Sequence, residues 1–221
     1  MKQLNIGIIG AGRIGKLHAQ SITYAVPAAR VYGITDVRTD GLQELKDKFG
    51  IEKIYTSVDD MLADKAIDAV LVCSSTDTHA DIAIQAAKAG KHIFCEKPVD
   101  LTPEKVEAVL DAVKTAGVKL QVGFNRRFDH NFARLRELVD QEKIGKLELV
   151  KITSRDPEPP PAEYAASSGG MFLDMTIHDF DMARFLAGSD IESLYVQAAC
   201  LVDPAIGEAG DVDSAVITLK F

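Results

Sequence analysis

Residues 4–122 alternate short apolar runs, rich in β-branched residues, with longer amphipathic segments. The six runs are LNIGIIG, ARVYGITD, KIYT, DAVLVCS, KHIFCE and KLQVGF. Helical periodicity, with apolar residues at i, i+3 and i+4, covers residues 13–24, 38–48, 58–62, 78–89 and 103–116. This alternation is typical of parallel strands joined by covering helices. We therefore predict an α/β fold with a six-stranded parallel Rossmann sheet.

The pattern changes after Gly123, which indicates a domain boundary between residues 1–123 and 124–221. In the second part we predict helices over 131–142 and 174–186, separated by the proline-rich loop DPEPPPAEYAASSGG. Three runs, KLELVKITSR, SLYVQAACLV and DSAVITLKF, are predicted strands of a second sheet. Three strands leave a raw sheet edge, so we expect that the chain is a fragment or that another chain covers this edge.

Composition excludes some classes of partner. The 221 residues carry 25 Lys and Arg against 33 Asp and Glu, a formal charge of −8, so there is no basic face for nucleic-acid phosphates. Small molecules are the expected partners. Cys73, Cys95 and Cys200 lack C-x-x-C spacing and are predicted to be buried, reduced thiols. The apolar N-terminal patch is broken by glycines, so we expect a cytoplasmic protein with no membrane contact.

The motif GAGRIG, residues 10–15, lies between the first predicted strand and the first predicted helix. The G-x-G-x-x-G pattern alone is weak evidence, but this position is the one that a dinucleotide-binding loop occupies. Gly10 permits the tight turn, Gly12 lets a pyrophosphate approach the backbone, and Gly15 lets helix and strand pack closely. We predict that a dinucleotide binds to Gly10, Gly12, Arg13, Ile14 and Gly15.

Asp36 ends the second predicted strand about twenty residues beyond the glycine motif, where a carboxylate accepts hydrogen bonds from the adenosine ribose. Because a carboxylate there repels a 2′-phosphate, we predict NAD as the cofactor, bound in part by Asp36 and Val37. Arg38 leaves NADP use open, since a guanidinium can hold that phosphate; its alternative role is an exposed charge at a helix start.

Polar residues follow the fourth predicted strand in the segment CSSTDTHAD, residues 73–81. Ligands of a Rossmann sheet bind at the carboxyl ends of its strands, so we predict cofactor contacts from Ser74, Ser75, Thr76 and His79. Part of this segment must cap a helix, with Asp77 or Thr76 as the expected cap. By default His79 is then a partly exposed residue of the first turn, and binding on the nicotinamide side is its alternative.

The segment HIFCEKPVDLTP, residues 92–103, ends a short apolar strand in Glu96, Lys97 and Pro98. At the carboxyl end of the fifth strand, Lys97 is expected over the crevice where a nicotinamide would lie. Pro98 bars Lys97 from the α region, so its side chain leaves an extended backbone in a restricted direction. A strand-end lysine is in general a solvated charge; here we predict Glu96 and Lys97 as cofactor contacts and Lys97 as catalytic.

Asp174 and His178 stand four residues apart in GGMFLDMTIHDFDMARFL, which on one helix places them on one face. The alternative is structural, with Asp174 as the helix cap and His178 as a core-edge histidine. A metal site from Asp174, His178 and Asp181 would lack a further His or Cys cluster, so no metal is predicted.

Together these residues fit the oxidation of a secondary alcohol by a dinucleotide. A group must take the hydroxyl proton as hydride leaves the carbon, and a histidine suits that step. We predict His178 as the base, Asp174 as the group that orients the imidazole and stabilises its cation, and Lys97 as the donor that stabilises the developing alkoxide.

Four segments, GIIGAGRIG, HIFCEKPVDLT, VGFNRRFD and GGMFLDMTIHDFDMARFL, together resemble the glucose-fructose oxidoreductase (Gfo/Idh/MocA) family, and within it the inositol dehydrogenases. The resemblance covers essentially the whole chain. It implies an NAD-binding Rossmann domain and a C-terminal α/β domain whose open, mostly antiparallel sheet supports substrate binding and homo-oligomer contacts. It also implies Lys97, Asp174 and His178 as the catalytic group and places Arg127 and Asp156 near the polyol. The alternative for Arg127 is an exposed charge on a surface helix, and the alternative for Asp156 is a cap in a loop.

The resemblance further implies a reaction, the NAD-dependent oxidation of myo-inositol, or a close isomer, to an inosose. Members of the family are usually longer than this chain, in keeping with the expected fragment. Other chemistries of the family stay open, namely dehydrogenation of another sugar or polyol and NAD-assisted cleavage of a glycoside. A non-enzymatic NAD-sensing regulator is a third alternative, but it would have no need of a base and an alkoxide stabiliser.

Overall fold

The computed structural model describes residues 3–221, apart from the side chains of residues 162, 166 and 167. The chain divides into two compact units, the first ending at Gly123 and the second beginning at Phe124.

The first unit alternates strands and helices from end to end. Its strands are β1 (Leu4–Ile9), β2 (Ala29–Thr35), β3 (Lys53–Ile54), β4 (Ala69–Val72), β5 (His92–Cys95) and β6 (Leu120–Val122). Its helices are α1 (Arg13–Ala25), α2 (Leu42–Phe49), α3 (Val58–Ala63), α4 (Thr76–Lys88) and α5 (Pro103–Ala116). The strands form one parallel sheet in the order β3-β2-β1-β4-β5-β6. The predicted six-stranded Rossmann sheet is confirmed.

Both faces of this sheet are covered, which explains why the inner strands β1, β2 and β4 are mostly apolar and buried. On one face Ile9, Val70 and Val72 pack in a core with residues of α3, α4 and α5. On the other face Ile8 and Ile34 pack with residues of α1 and α2. Each such side chain contributes about 1.5–3 kcal/mol when it is fully buried.

The order of the strands reverses between β1 and β4, because α1 leads from β1 to β2 on one side and β4 lies on the other. At such a switch point the connections leave the sheet in opposite directions and open a crevice at the carboxyl ends of the strands. The glycine motif and the segment after β4 both lie at this edge.

The second unit contains a two-stranded antiparallel sheet of β7 (Ser193–Ala199) and β8 (Ser214–Lys220), paired from Ser193–Lys220 to Ala199–Ser214. Its helical elements are a 3-10 turn (Asn125–Phe128), α6 (His130–Asp140), α7 (Ala162–Ser168), a π-helical turn (Met171–Met175), α8 (Ile177–Ala187) and α9 (Pro204–Glu208).

Three predictions for the second unit are wrong in detail. Residues 146–155, all described, contain no strand, because alternation of side chains does not by itself supply a hydrogen-bonded neighbour. The predicted loop over 156–170 contains α7, which begins directly after Pro161, where proline is compatible with a helix start. The single helix predicted over 174–186 is divided into the π-helical turn and α8.

Candidate functional site

The glycine motif forms the turn from β1 into α1, and each glycine has a different steric surrounding. Gly10 has a φ of +98°, and a Cβ there would lie 2.5 Å from the backbone of Cys73. A Cβ on Gly15 would lie 1.9 Å from the carbonyl oxygen of Gly10, so α1 packs directly on the turn. A Cβ on Gly12, in contrast, would have no atom within 4 Å. The backbone at Gly12 therefore faces open space that a ligand can approach.

The N-terminus of α1 suits an anionic ligand. Gly12 is the N-cap, and neither a side-chain cap nor an acidic residue occupies the first turn. The first N–H groups of a helix have no intrahelical partner and carry a partial positive charge, which favours a phosphate. Arg13 is exposed beside this end, and Ile14 is half-buried.

Asp36, directly after β2, is bound to the glycine turn. Its Oδ2 accepts the backbone N–H of Ala11 at 2.6 Å, and its Oδ1 accepts the N–H of Arg38 at 2.7 Å. Two carboxylate oxygens can accept about four hydrogen bonds, so these contacts leave capacity for the two hydroxyls of a ribose. The neighbouring Val37 side chain is fully exposed. The arrangement fits the adenosine half of NAD.

The segment after β4 differs from its prediction at two residues. Ser75 is the N-cap of α4, in place of the predicted Asp77 or Thr76, so the helix includes Thr76 as its first residue. His79 is buried, with 2% of its surface exposed, so its default reading as a partly exposed residue is wrong. Its ring lies between two carbonyl oxygens, those of Ser74 and Pro98. The hydroxyl of Ser74 lies 2.7 Å from that of Thr78.

The Glu96–Lys97–Pro98 segment directly follows β5, and the Lys97–Pro98 peptide bond is cis. The Glu96 carboxylate is turned toward the protein, with Oε1 2.7 Å from Nε2 of His18 on α1 and Oε2 3.4 Å from the backbone nitrogen of Lys97. A Cβ on Gly123 would lie 3.0 Å from the same carboxylate. Lys97 itself is half-buried at the crevice edge of the sheet.

The cysteines of this unit do not provide a nucleophile. Cys73 and Cys95 are buried free thiols at the ends of β4 and β5. Burial, with a smaller effect from the Glu96 carboxylate, raises the pKa of the Cys95 thiol to about 12 and that of Cys73 in the same direction. Both stay protonated near neutral pH, and a thiol is a weak nucleophile in that form. Cys200, in the second unit, is a free thiol and half-buried.

In the second unit Asp174 lies in the π-helical turn and His178 in the first turn of α8, and both are half-buried. The helix cap is Thr176, so the alternative reading of Asp174 as the cap is wrong. The hydroxyl of Thr176 donates instead toward the carbonyl oxygens of Met171 and Phe172, both at 3.2 Å. Single π-helical turns occur frequently at functional sites.

Asp211 fixes the start of the π-helical turn, and sequence reasoning missed it. Its Oδ2 accepts the backbone N–H of Met171 at 2.9 Å, and a Cβ on Gly170 would lie 2.6 Å from its carboxylate. Gly170 also has a φ of +68°, which favours glycine. The glycine pair in SSGG was the available signal for a special backbone conformation before Asp174.

Arg127 is held by a buried carboxylate. Its Nε donates to Oδ2 of Asp181 at 2.8 Å, its Nη2 donates to Oδ1, and its guanidinium lies over the ring of Phe185. The hydrogen bond to Asp181 raises the pKa of Arg127. Asp181, 6% exposed, was considered only as a metal ligand in the sequence. Asp156, predicted near the polyol, is exposed in an irregular segment.

A second arginine–aspartate pair lies beside the first. Arg126 donates to Oδ1 of Asp179, and the hydroxyl of Ser154 donates to the same oxygen at 2.7 Å. The two adjacent pairs bind the 3-10 turn to α8, the helix that carries His178.

Comparison with known proteins places the chain in a family. Residues 4–124 match the sequence profile of the Gfo/Idh/MocA oxidoreductase family, NAD-binding Rossmann fold, and residues 132–221 match the family's C-terminal domain. The chain belongs to the Gfo/Idh/MocA family. The resemblance based on four sequence motifs is thereby confirmed, and the glycine turn with Asp36 belongs to the family's NAD-binding domain.

Relatives in the Gfo/Idh/MocA family match almost the whole chain. A myo-inositol 2-dehydrogenase of Thermotoga maritima is 51% identical over 99% of this chain and 65% of its own length. An inositol 2-dehydrogenase of Rhizobium meliloti is 48% identical over 98% of this chain and 65% of its own. The crystal structure of a scyllo-inositol dehydrogenase from Lactobacillus casei with bound NAD(H) and scyllo-inositol superposes with a TM-score of 0.83, at 32% identity, over 99% of this chain and 66% of that one. The chain thus spans about two thirds of the length of these relatives.

The described residues contain neither a metal-binding cluster nor a membrane-spanning helix. In residues 3–221 of this Gfo/Idh/MocA chain, no three His, Cys, Asp or Glu residues are grouped so that they could hold a metal ion. Within the same residues, no helix has the length and apolar character needed to cross a membrane.

Proposed function

We propose that this chain carries the catalytic residues of an NAD-dependent inositol dehydrogenase, which oxidises one hydroxyl of myo-inositol, or of a close isomer, to give an inosose. The observation that carries the proposal is 51% identity, over 99% of the chain, to a relative named myo-inositol 2-dehydrogenase. The glycine turn, Asp36 and the strand end at Lys97 supply the parts that this chemistry needs in the first unit.

The dinucleotide side of the proposal uses groups of the switch-point crevice. The N-terminus of α1 with Gly10, Gly12 and Gly15 holds the pyrophosphate, and Asp36 holds the adenosine ribose. The other proposed contacts to the dinucleotide come from Arg13, Ile14, Val37, Ser74, Ser75 and Thr76. NAD, when bound, supplies the acceptor for the hydride that leaves the substrate carbon.

Three residues of the chain handle the proton and the charge. His178 accepts the hydroxyl proton while the carbon–hydrogen bond breaks, so that the alcohol becomes a ketone and one proton is later released to solvent. Asp174 orients the imidazole and stabilises its cation. Lys97 donates a hydrogen bond to the same substrate oxygen and stabilises its negative charge in the transition state.

The polyol contacts of the proposal are Arg127 and Asp156. Arg127 is positioned by its pairing with Asp181, so its guanidinium has a defined orientation for a hydroxyl acceptor. Asp156 accepts from hydroxyls in its exposed segment. A homo-oligomer formed through the second sheet is part of the same proposal, because Tyr195 and Val216 lie on one sheet face with 67% and 73% of their surfaces exposed.

The test is the formation of NADH when the purified protein is mixed with NAD and a panel of inositols, aldoses and glycosides. We expect turnover with myo-inositol or a close isomer. Turnover only with aldoses, or release of free sugar without accumulation of NADH, would replace the proposed substrate with another chemistry of the family. Tight NAD binding without turnover on any polyol would instead favour the regulator.

A further inference from the structure

His79 lies between two segments of the first unit, with each ring nitrogen directed at a backbone carbonyl. Nδ1 lies 2.8 Å from the carbonyl oxygen of Pro98, and Nε2 lies 3.1 Å from the carbonyl oxygen of Ser74. The ring is almost completely buried, with 2% of the residue exposed. A buried imidazole with both nitrogens directed at backbone carbonyls has little surface left with which to contact a ligand.

The contact to Pro98 lies where the chain leaves the sheet after β5. Before Lys97, the N–H of Glu96 still donates to the carbonyl oxygen of Val72 on β4 at 3.0 Å. After Lys97 the chain leaves the sheet, and Pro98 has no N–H with which to continue the ladder. The carbonyl of Pro98 is therefore its only backbone group that can be anchored, and His79 provides the anchor.

We propose that His79 is a positioning residue for Lys97. Through the hydrogen bond to Pro98 it holds the segment after β5 against α4, so that the Lys97 backbone is fixed on both sides, by Val72 before it and by His79 after it. This proposal rests on the proposed function, in which Lys97 acts on the substrate oxygen. It replaces the reading of His79 as a direct contact of the nicotinamide.

The proton of a neutral imidazole can satisfy one of the two carbonyls. The proposal places it at Nδ1, where the contact is shorter, so that His79 donates its one hydrogen bond to the carbonyl oxygen of Pro98. The contacts of the two ring nitrogens can be tested separately, because the amide of an asparagine or of a glutamine can replace one ring nitrogen each. In His79→Asn the amide nitrogen takes the place of Nδ1, and in His79→Gln it takes the place of Nε2.

The first test compares the steady-state kinetics of the two variants in the intact protein. We expect His79→Asn to retain kcat within about threefold, and His79→Gln to lower kcat by about 10- to 100-fold, since misplacement of a catalytic group by about 1 Å costs up to about 100-fold. The KM for NAD should change little in either variant. Equal losses of kcat in both would overturn the proposal, and so would a large rise in the KM for NAD with kcat retained.

The second test does not depend on turnover. The protein is treated with acetic anhydride over a range of pH, and mass spectrometry gives the acetylation rates of Lys97 and of Lys114, an exposed lysine used as the reference. His79→Gln should change the rate at Lys97 and its pH profile but not the rate at Lys114, whereas His79→Asn should leave both near the wild-type values. Unchanged labelling in His79→Gln would overturn the proposal. If the wild-type protein oxidises no polyol, the proposed function fails, and the labelling still decides the role of His79.

Discussion

Glu96 and His18 connect the strand end that carries Lys97 to the helix that follows the glycine turn, with Nε2 of His18 2.7 Å from Oε1 of Glu96. The imidazole also packs edge-on against the ring of Phe94, with centroids 5.1 Å apart. The conformation of the Glu96 side chain is thus set by α1, the same helix whose N-terminus is proposed to hold the pyrophosphate.

Removal of the His18 side chain should destabilise the first unit. His18→Leu leaves a carboxylate that is only 19% exposed without this donor, and we expect a loss of about 1–2 kcal/mol in the free energy of unfolding, measured by urea denaturation. His18→Gln, which keeps an N–H donor of similar reach, is the matched control and should lose less than half as much. Equal losses in both variants would show that packing on Phe94, and not the hydrogen bond, carries the effect.

Alanine substitutions at Gly12 and at Gly15 should have different effects, the first on NAD binding and the second on the stability of the fold. Gly12→Ala adds a methyl group where no atom lies within 4 Å, so stability should stay within about 0.5 kcal/mol while NAD binding weakens by about tenfold or more. Gly15→Ala places the same group 1.9 Å from the carbonyl oxygen of Gly10 and should cost about 1–3 kcal/mol of stability. Thermal unfolding and titration with NADH, followed by its fluorescence, measure the two effects. A Gly12→Ala variant that binds NAD normally would contradict the proposed pyrophosphate position.

Asp36 should determine the choice between NAD and NADP. Asp36→Ala removes the ribose acceptor and the negative charge while Arg38 remains, so we expect kcat/KM for NAD to fall by about 10- to 100-fold and that for NADP to rise. The double variant with Arg38→Ala should lose the gain with NADP. If Asp36→Ala lowers kcat/KM for NAD and for NADP by the same factor, the carboxylate acts mainly through its hydrogen bond with the N–H of Ala11, which shapes the glycine turn.

Lys97 and His178 should affect turnover in different ways. Lys97→Ala is expected to lower kcat by about 100-fold or more with little change in NAD affinity, because its proposed partner is the substrate oxygen. For the wild-type protein, oxidation should accelerate as pH rises, because the base must be unprotonated to accept the hydroxyl proton. In His178→Asn the rate should be low and should lose this dependence on pH. A wild-type pH slope that persists in the variant would assign the base to another group.

Asp213 should make the second unit sensitive to acid. Its carboxylate accepts the N–H groups of Leu201, Val202 and Asp203 at 2.8–2.9 Å, and these bonds hold its pKa well below the ordinary range. A carboxyl group with a lowered pKa in the folded state stabilises the fold above its unfolded pKa, near 4, and this contribution is lost as pH falls below it. We therefore expect Asp213→Asn to lower the urea midpoint at neutral pH, and the difference from wild type to narrow below about pH 4.

The matched control for Asp213 is Glu208→Gln, which removes one negative charge from an exposed side chain in the neighbouring α9. Its midpoint should follow that of the wild-type protein across the pH range. If Glu208→Gln lowers the urea midpoint at neutral pH as much as Asp213→Asn does, the loss in Asp213→Asn comes from the change in net charge.

Local sequence was sufficient wherever periodicity and packing agree. The apolar runs of the first unit predict all six strands, and the pattern is clearest in β1, β2 and β4, which are mostly buried because both faces of the sheet are covered. The same reasoning failed for KLELVKITSR, residues 146–155. Its alternation of apolar and polar residues fits a strand, but none of these residues is in a strand. The motif at residues 10–15 and Asp36 were readable because a glycine turn and a strand-end carboxylate each occupy a fixed place in the Rossmann unit.

The sequence by itself determined the Rossmann sheet and the glycine turn, and it supplied the residues proposed here for catalysis, since these depend on side-chain type and on spacing within one segment. Only the tertiary structure decided how those residues are held. It buried His79 between the carbonyls of Ser74 and Pro98, joined Glu96 to His18 across 78 residues of sequence, and placed Asp174 in a π-helical turn fixed by Asp211. These contacts join residues that are distant in the chain or depend on a departure from regular helix geometry. Their partners are selected by folding, which periodicity within a single segment does not encode.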